Sequence, residues 1–183
     1  MLTLIISSIY FMIPAYVANA LPVIGNYLNI FPTLNIPVDR GKTLHKRPLF
    51  GRSKTVRGFF IGIIGAILIG LLQFYLYKNN IFLEYALIKY SITNSLLIGF
   101  LLGAGALIGD LLKSFIKRRL GIKSGKPWII ADQIDYVIGS LILISPFYFP
   151  PLKHVFVICI ISPLFSVIAN IFSYLTGMKK VWW

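Results

Sequence analysis

Acidic residues are scarce in this chain: five Asp and Glu stand against 18 Lys and Arg in 183 residues, and charged residues of both signs make up only 13%. With 57% of residues hydrophobic and gathered into long runs, so low a charged fraction excludes an ordinary soluble domain of this size. The lone cysteine, Cys159, lies inside an apolar run, and the two histidines, His45 and His154, are far apart without ligand spacing, which argues against disulfides and zinc. No Lys or Arg precedes the apolar stretch from Leu2 to Ile13, as the n-region of a secretory signal peptide would require, so this stretch reads as a retained membrane span.

Five apolar runs are present, at 2–24, 58–77, 92–109, 136–152 and 155–175, each close to the ~20 residues needed to cross hydrocarbon. The expectation is an all-α, polytopic membrane protein of five transmembrane helices, forming a single integral membrane domain over 1–183 with cytoplasmic loops at 25–57 and 110–135. The bases set its orientation: seven fall from Arg40 to Arg57, six from Lys113 to Lys126 and two at Lys179 and Lys180, against two in 78–91 and one at Lys153. The positive-inside rule then places the N-terminus outside and the C-terminus in the cytoplasm of a multi-pass cell-membrane protein. Tyr75, Tyr77, Phe147 to Phe149, Trp182 and Trp183 fall at run ends, where amphipathic rings favour the interface.

The net charge of +13 suits nucleic acid, anionic lipid or polyphosphate equally. Its confinement beside the spans points to the lipid surface and to phosphate, with no nucleic acid. Small residues four apart, Gly58, Gly62, Ala66 and Gly70 in the second span and Gly99 with Gly103 and Gly105 with Gly109 in the third, predict close helix packing; they also permit a homodimer.

A carboxylate near the bilayer centre costs on the order of 3 kcal/mol, so the few acids are informative. Asp39, Asp110, Asp132 and Asp135 all fall at predicted cytoplasmic ends, and only Glu84 falls outside. If the third helix runs past Asp110, Lys113 and Lys117 follow on the same face. Asp132 and Asp135, three apart at a helix start, place their Cβ atoms roughly 5–6 Å from one another. That spacing fits a divalent cation completed by phosphates and water, and it fits helix capping equally well. The first loop alternates glycines, hydroxyls and bases, as in Gly51-Arg52-Ser53-Lys54-Thr55-Val56-Arg57-Gly58, which suits phosphate but also an ordinary basic anchor for anionic lipid. It is not a Walker A loop: Gly41-Lys42-Thr43 would need a glycine at position 36, where Ile36 stands.

Ser114-Phe115-Ile116-Lys117-Arg118, then Lys123, then Asp132-Gln133-Ile134-Asp135 resembles the signature of the CTP:phosphatidate cytidylyltransferase (CDP-diglyceride synthase) family. Pro37-Val38-Asp39-Arg40-Gly41, the stretch from Gly51 to Gly58 and Gly109-Asp110-Leu111-Leu112-Lys113-Ser114 make the whole chain similar to its short archaeal branch, the CDP-archaeol synthases. Ser124 and Gln133 depart from the bacterial pattern, in which Asp and Arg are expected.

The resemblance implies transfer of CMP from CTP to a membrane lipid phosphate, 2,3-di-O-geranylgeranylglyceryl 1-phosphate, with Mg²⁺ as cofactor. Asp110, Asp132 and Asp135 become the expected metal ligands and, with Lys113, the catalytic group. Lys54, Thr55, Arg57, Ser114 and Lys117 are expected to bind substrate, supported by Asp39, Lys42, Arg118 and Lys126. Two other readings are a CDP-alcohol phosphotransferase, which needs a longer aspartate array than Asp132 and Asp135 provide, and a non-catalytic lipid-binding or transport protein. The latter would place ionisable groups at mid-span, where this chain has only neutral ones such as Gln73, Asn94 and Asn170.

Overall fold

The computed structural model describes residues 1–182; the interfacial role expected of Trp183 lies outside them. Five helices form a bundle: α1 (Leu2–Tyr27), α2 (Val56–Lys78), α3 (Ile92–Arg119), α4 (Ala131–Ile144) and α5 (Leu152–Leu175). Four of them, all but α4, are long and apolar enough to cross a membrane. Thr55 caps α2 by accepting the Gly58 N–H at 3.2 Å, and Ser91 caps α3 by accepting that of Asn94 at 3.2 Å. Helix α3 is the hub, with more than half of its most apolar stretch buried, whereas α5 is mostly exposed to the surroundings.

Two boundaries differ from the sequence expectation. The third span was expected to end at 109, with 110–135 as loop, yet α3 runs on for ten residues to Arg119. Nothing in 110–119 breaks a helix, and Lys117, Arg118 and Arg119 suit its negative C-terminal end. The chain turns only at Gly121, whose φ of +80° is left-handed. The fourth span, expected over 136–152, is instead a helix of 14 residues from Ala131, about 20 Å long. It stops at Ser145, whose own backbone is still helical, because Pro146 has no N–H with which to continue the ladder.

The small-residue stripes are used within the bundle, as expected for packing, and so lend no support to a homodimer. A Cβ on Gly70 would run into the Ser95 carbonyl, one on Gly99 into that of Ala66, and one on Gly109 into that of Asp135. Polar bonds pin the remaining contacts: Ser140 Oγ donates to the Leu102 carbonyl (2.8 Å), and Tyr136 Oη to that of Ser162 (2.7 Å).

The first loop contains a short hairpin, β1 (Thr43–Leu44) antiparallel to β2 (Arg47–Pro48). Two arginines lock it to the end of α3. Arg47 donates to the Arg119 carbonyl (2.5 Å), and Arg119 donates to those of Leu44 (2.7 Å) and Pro48 (2.6 Å). Residues 45–48 thus brace the loop against the helix that carries Asp110.

Candidate active site

Alternating chain direction brings the end of α1, the start of α2, the end of α3, the start of α4 and the segment after α5 to one end of the bundle. They enclose a cavity of about 1020 Å³ there. Asp110 lies 18 residues into α3, about 27 Å along its axis and so near the edge of a ~30 Å hydrocarbon layer.

Three carboxylates converge there on one ammonium, with Asp110, Lys113 and Asp132 in the cavity lining and Asp135 buried outside it. Lys113 Nζ is 3.0 Å from Asp110 Oδ1, 2.9 Å from Asp132 Oδ1 and 2.7 Å from Asp135 Oδ2. Lys54, arriving from the first loop, pairs with the other Asp110 oxygen at 2.5 Å. Lys117 donates to both oxygens of Asp132 at 3.0 Å and to the Lys126 carbonyl at 2.7 Å. Three lysines therefore balance three aspartates in a site where a lone charge would be costly. The convergence depends on α3 and α4 packing backbone to backbone at Gly105, Gly109 and Gly139.

Among the described residues, no three His, Cys, Asp or Glu side chains form a ready-made cage for a metal ion, because Lys113 stands between the three aspartates. The donor set nevertheless fits Mg²⁺, a hard cation that takes carboxylate oxygens. Asp135 Oδ2 is buried, and its close partner is the Lys113 ammonium at 2.7 Å.

Of the expected substrate contacts, Lys54, Thr55, Ser114, Lys117, Arg118 and Lys126 line this cavity together with Asp110, Lys113 and Asp132. Three others are placed elsewhere. Arg57 is only 2% exposed, and it ties α2 to the end of α1 through Asn26 Oδ1 (2.6 Å) and Asn29 Oδ1 (3.2 Å). Lys42 is solvent-exposed and outside the cavity lining. Asp39 is buried in the loop, where it accepts the backbone N–H groups of Gly41, Phe50 and Gly51, each at 3.0 Å. Arg52 and Ser53, part of the first-loop stretch suited to phosphate, also line the cavity, and so do the C-terminal Lys179 and Lys180, which sequence reading missed. A spacing argument within one helix carries no signal for residues that arrive from a distant tail.

Burial alone would raise the Asp39 carboxyl, but the N–H groups of Gly51, Phe50 and Gly41 outweigh it and hold the group below its ordinary 3.8. A carboxyl depressed in the folded state stabilises the loop fully above that ordinary value, and the contribution disappears as pH falls through the lower folded value. Asp39→Asn is therefore expected to loosen the loop already at pH 7. Limited proteolysis should cut the variant within residues 40–52 several-fold faster than the parent, a difference that narrows in acid.

Comparison with known proteins agrees with this geometry. The model of the CarS-like, CDP-archaeol synthase family matches residues 1–183. The CDP-archaeol synthase of Methanocaldococcus jannaschii is 36% identical, with 98% of each chain covered. That of Methanococcus maripaludis strain C7 is 37% identical over 100% of this chain and 99% of its own. A solved structure described as an intramembrane enzyme for archaeal membrane lipids biosynthesis superposes with a TM-score of 0.71 at 31% identity, covering 89% of this chain and 92% of that one. The full-length matches, the membrane helices and the charged cavity agree: this chain belongs to the CDP-archaeol synthase family.

Proposed function

We propose that this chain transfers CMP from CTP to the phosphate of 2,3-di-O-geranylgeranylglyceryl 1-phosphate, forming CDP-archaeol and pyrophosphate. An oxygen of the lipid phosphate bonds to the α-phosphorus of CTP as the bond from that phosphorus to the bridging oxygen breaks, and pyrophosphate leaves with the electron pair. Both reactants are polyanions, so positioning and charge neutralisation lower the barrier, and no side-chain nucleophile is needed.

The observation that carries this reading is the meeting, at one end of the bundle, of three aspartates and a lysine cluster, with Asp110, Asp132 and the lysines lining a cavity that has an apolar flank. In this reading Asp110, Asp132 and Asp135 hold Mg²⁺, which when bound would polarise the α-phosphoryl group and stabilise the leaving pyrophosphate. Lys113 and Lys117 are then available to phosphate oxygens, and Lys54 and Thr55 approach from the start of α2. Asp39 and Arg57 serve by holding the loop and the α1–α2 corner in place.

The single membrane domain is read as crossing the bilayer five times, N-terminus outside, with α4 and the segment 145–151 together making the fourth passage. In support, the basic loops and the basic tail all lie at the cavity end. The test is pyrophosphate release by membranes containing the protein. Release is expected only when CTP, Mg²⁺ and the lipid phosphate are all present; release without the lipid, or none with all three, would overturn the reading.

A further inference from the structure

Beyond α5 the chain does not leave the bundle. Gly177 adopts a left-handed φ of +75° and reverses the backbone, and the Lys179 N–H donates to the Ser173 carbonyl at 2.9 Å. The tail so formed folds over the rim of the cavity, with Met178, Lys179, Lys180 and Val181 in its lining. Lys179 Nζ donates to Asn170 Oδ1 at 2.6 Å, a neutral partner one helical face away on α5.

The ammonium is partly buried and lies within electrostatic reach of Lys54, Asp110, Lys113 and Asp132. Burial, and then the like charge of Lys54, hold its pKa below the ordinary lysine range. The nearby aspartates are already paired with Lys54, Lys113 and Lys117. Among the described residues, Lys179 thus carries a positive charge into the cavity without a carboxylate partner of its own, an arrangement that an incoming anion would complete.

Two anions must meet in this cavity, and the surroundings of Lys179 decide which of them it receives. Arg52, Ser53, Lys54 and Thr55 enter from the first loop. Lys179 enters from α5, the least buried of the four long apolar helices, whose Phe165, Ile168 and Phe172 border the same cavity and are themselves exposed. A phosphate attached to hydrocarbon chains can lie with its chains along that apolar face and its headgroup at the helix end. We propose that Lys179, held by Asn170, is the residue that binds the phosphate of the lipid acceptor and sets it opposite the nucleotide side of the cavity.

This inference rests on the cytidylyltransferase reading, and the experiment separates the two. Initial rates are measured with purified full-length protein, varying the lipid phosphate at saturating CTP and CTP at saturating lipid phosphate. K179M is expected to raise KM for the lipid phosphate about tenfold, the usual scale for losing one charge-assisted hydrogen bond, while KM for CTP stays within twofold. K179R should restore most of the difference. N170A, which leaves the charge but frees it, should raise the same constant by a smaller factor and carries the test should K179M not extract as a monodisperse species. A rise in KM for CTP instead, or no change in either constant, overturns the assignment. A parent protein that fails to couple CTP to the lipid phosphate at all overturns the underlying reading instead.

Discussion

Asp132→Asn and Asp135→Asn should each abolish cytidylyl transfer while leaving the bundle intact. The expected loss is at least about 10²–10³-fold in pyrophosphate release, the scale seen when one electrostatic partner of a developing charge is removed. Asparagine keeps the size of the side chain. In Asp132→Asn the amide oxygen can still accept the Trp128 N–H, now 2.7 Å from Asp132 Oδ2. In either variant Lys113 keeps two of its three carboxylates. The detergent-extracted variants should therefore elute and melt close to the parent. Asp135 is the sharper case, because the Tyr136 N–H that its Oδ1 accepts at 2.8 Å can pass to the amide oxygen, and its ion pair with Lys113 is one of three that this ammonium holds. Near-normal turnover in either variant would remove the aspartates from the chemistry and reduce them to structural partners of Lys113 and Lys117.

Gly109→Ala should damage stability and activity together. Its added Cβ would be driven into the backbone carbonyl of Asp135, and a backbone cannot swing aside as a side chain can. Overpacking of this kind costs about 1–3 kcal/mol, occasionally more, so a melting temperature lower by several degrees is expected. The same displacement moves α4, and with it Asp132 and Asp135, away from Asp110. A shift of about 1 Å in reacting groups can cost 10²-fold in rate, so the protein that remains folded should also turn over slowly. Gly70→Ala is the control: its Cβ would meet the Ser95 carbonyl in an equally tight contact, but toward the opposite end of α3. It should lower the melting temperature while activity per folded molecule stays near the parent's. Equal activity losses in the two variants would mean that the α3–α4 seam has no special part in setting the site.

Much of this was legible in the residues. Long apolar runs have few solutions in lipid other than helices, because every backbone polar group must be satisfied internally. Four of the five runs correspond to helices long enough to span. Asp110, Asp132 and Asp135 were conspicuous because a membrane chain keeps a carboxylate only where something compensates it. Lys113 and Lys117 followed from helical periodicity, once α3 continued past Asp110.

What remained hidden depended on which distant atoms fill a space. Asp39 and Arg57 were expected to contact substrate, yet three backbone N–H groups and two asparagines take up their hydrogen bonds. Lys113 was expected beside the aspartates and stands among them. Lys179 lay too far along the chain for any spacing rule, and only the turn at Gly177 returns it to the cavity.

The sequence by itself determined the solvent of this protein, the number of its helices and the few charges able to do chemistry, because hydrophobic length and the cost of burying charge are local properties of a chain. Only the tertiary structure decided which of those charges meet, since that depends on glycine contacts between helices remote in sequence and on where two loops and a tail come to rest.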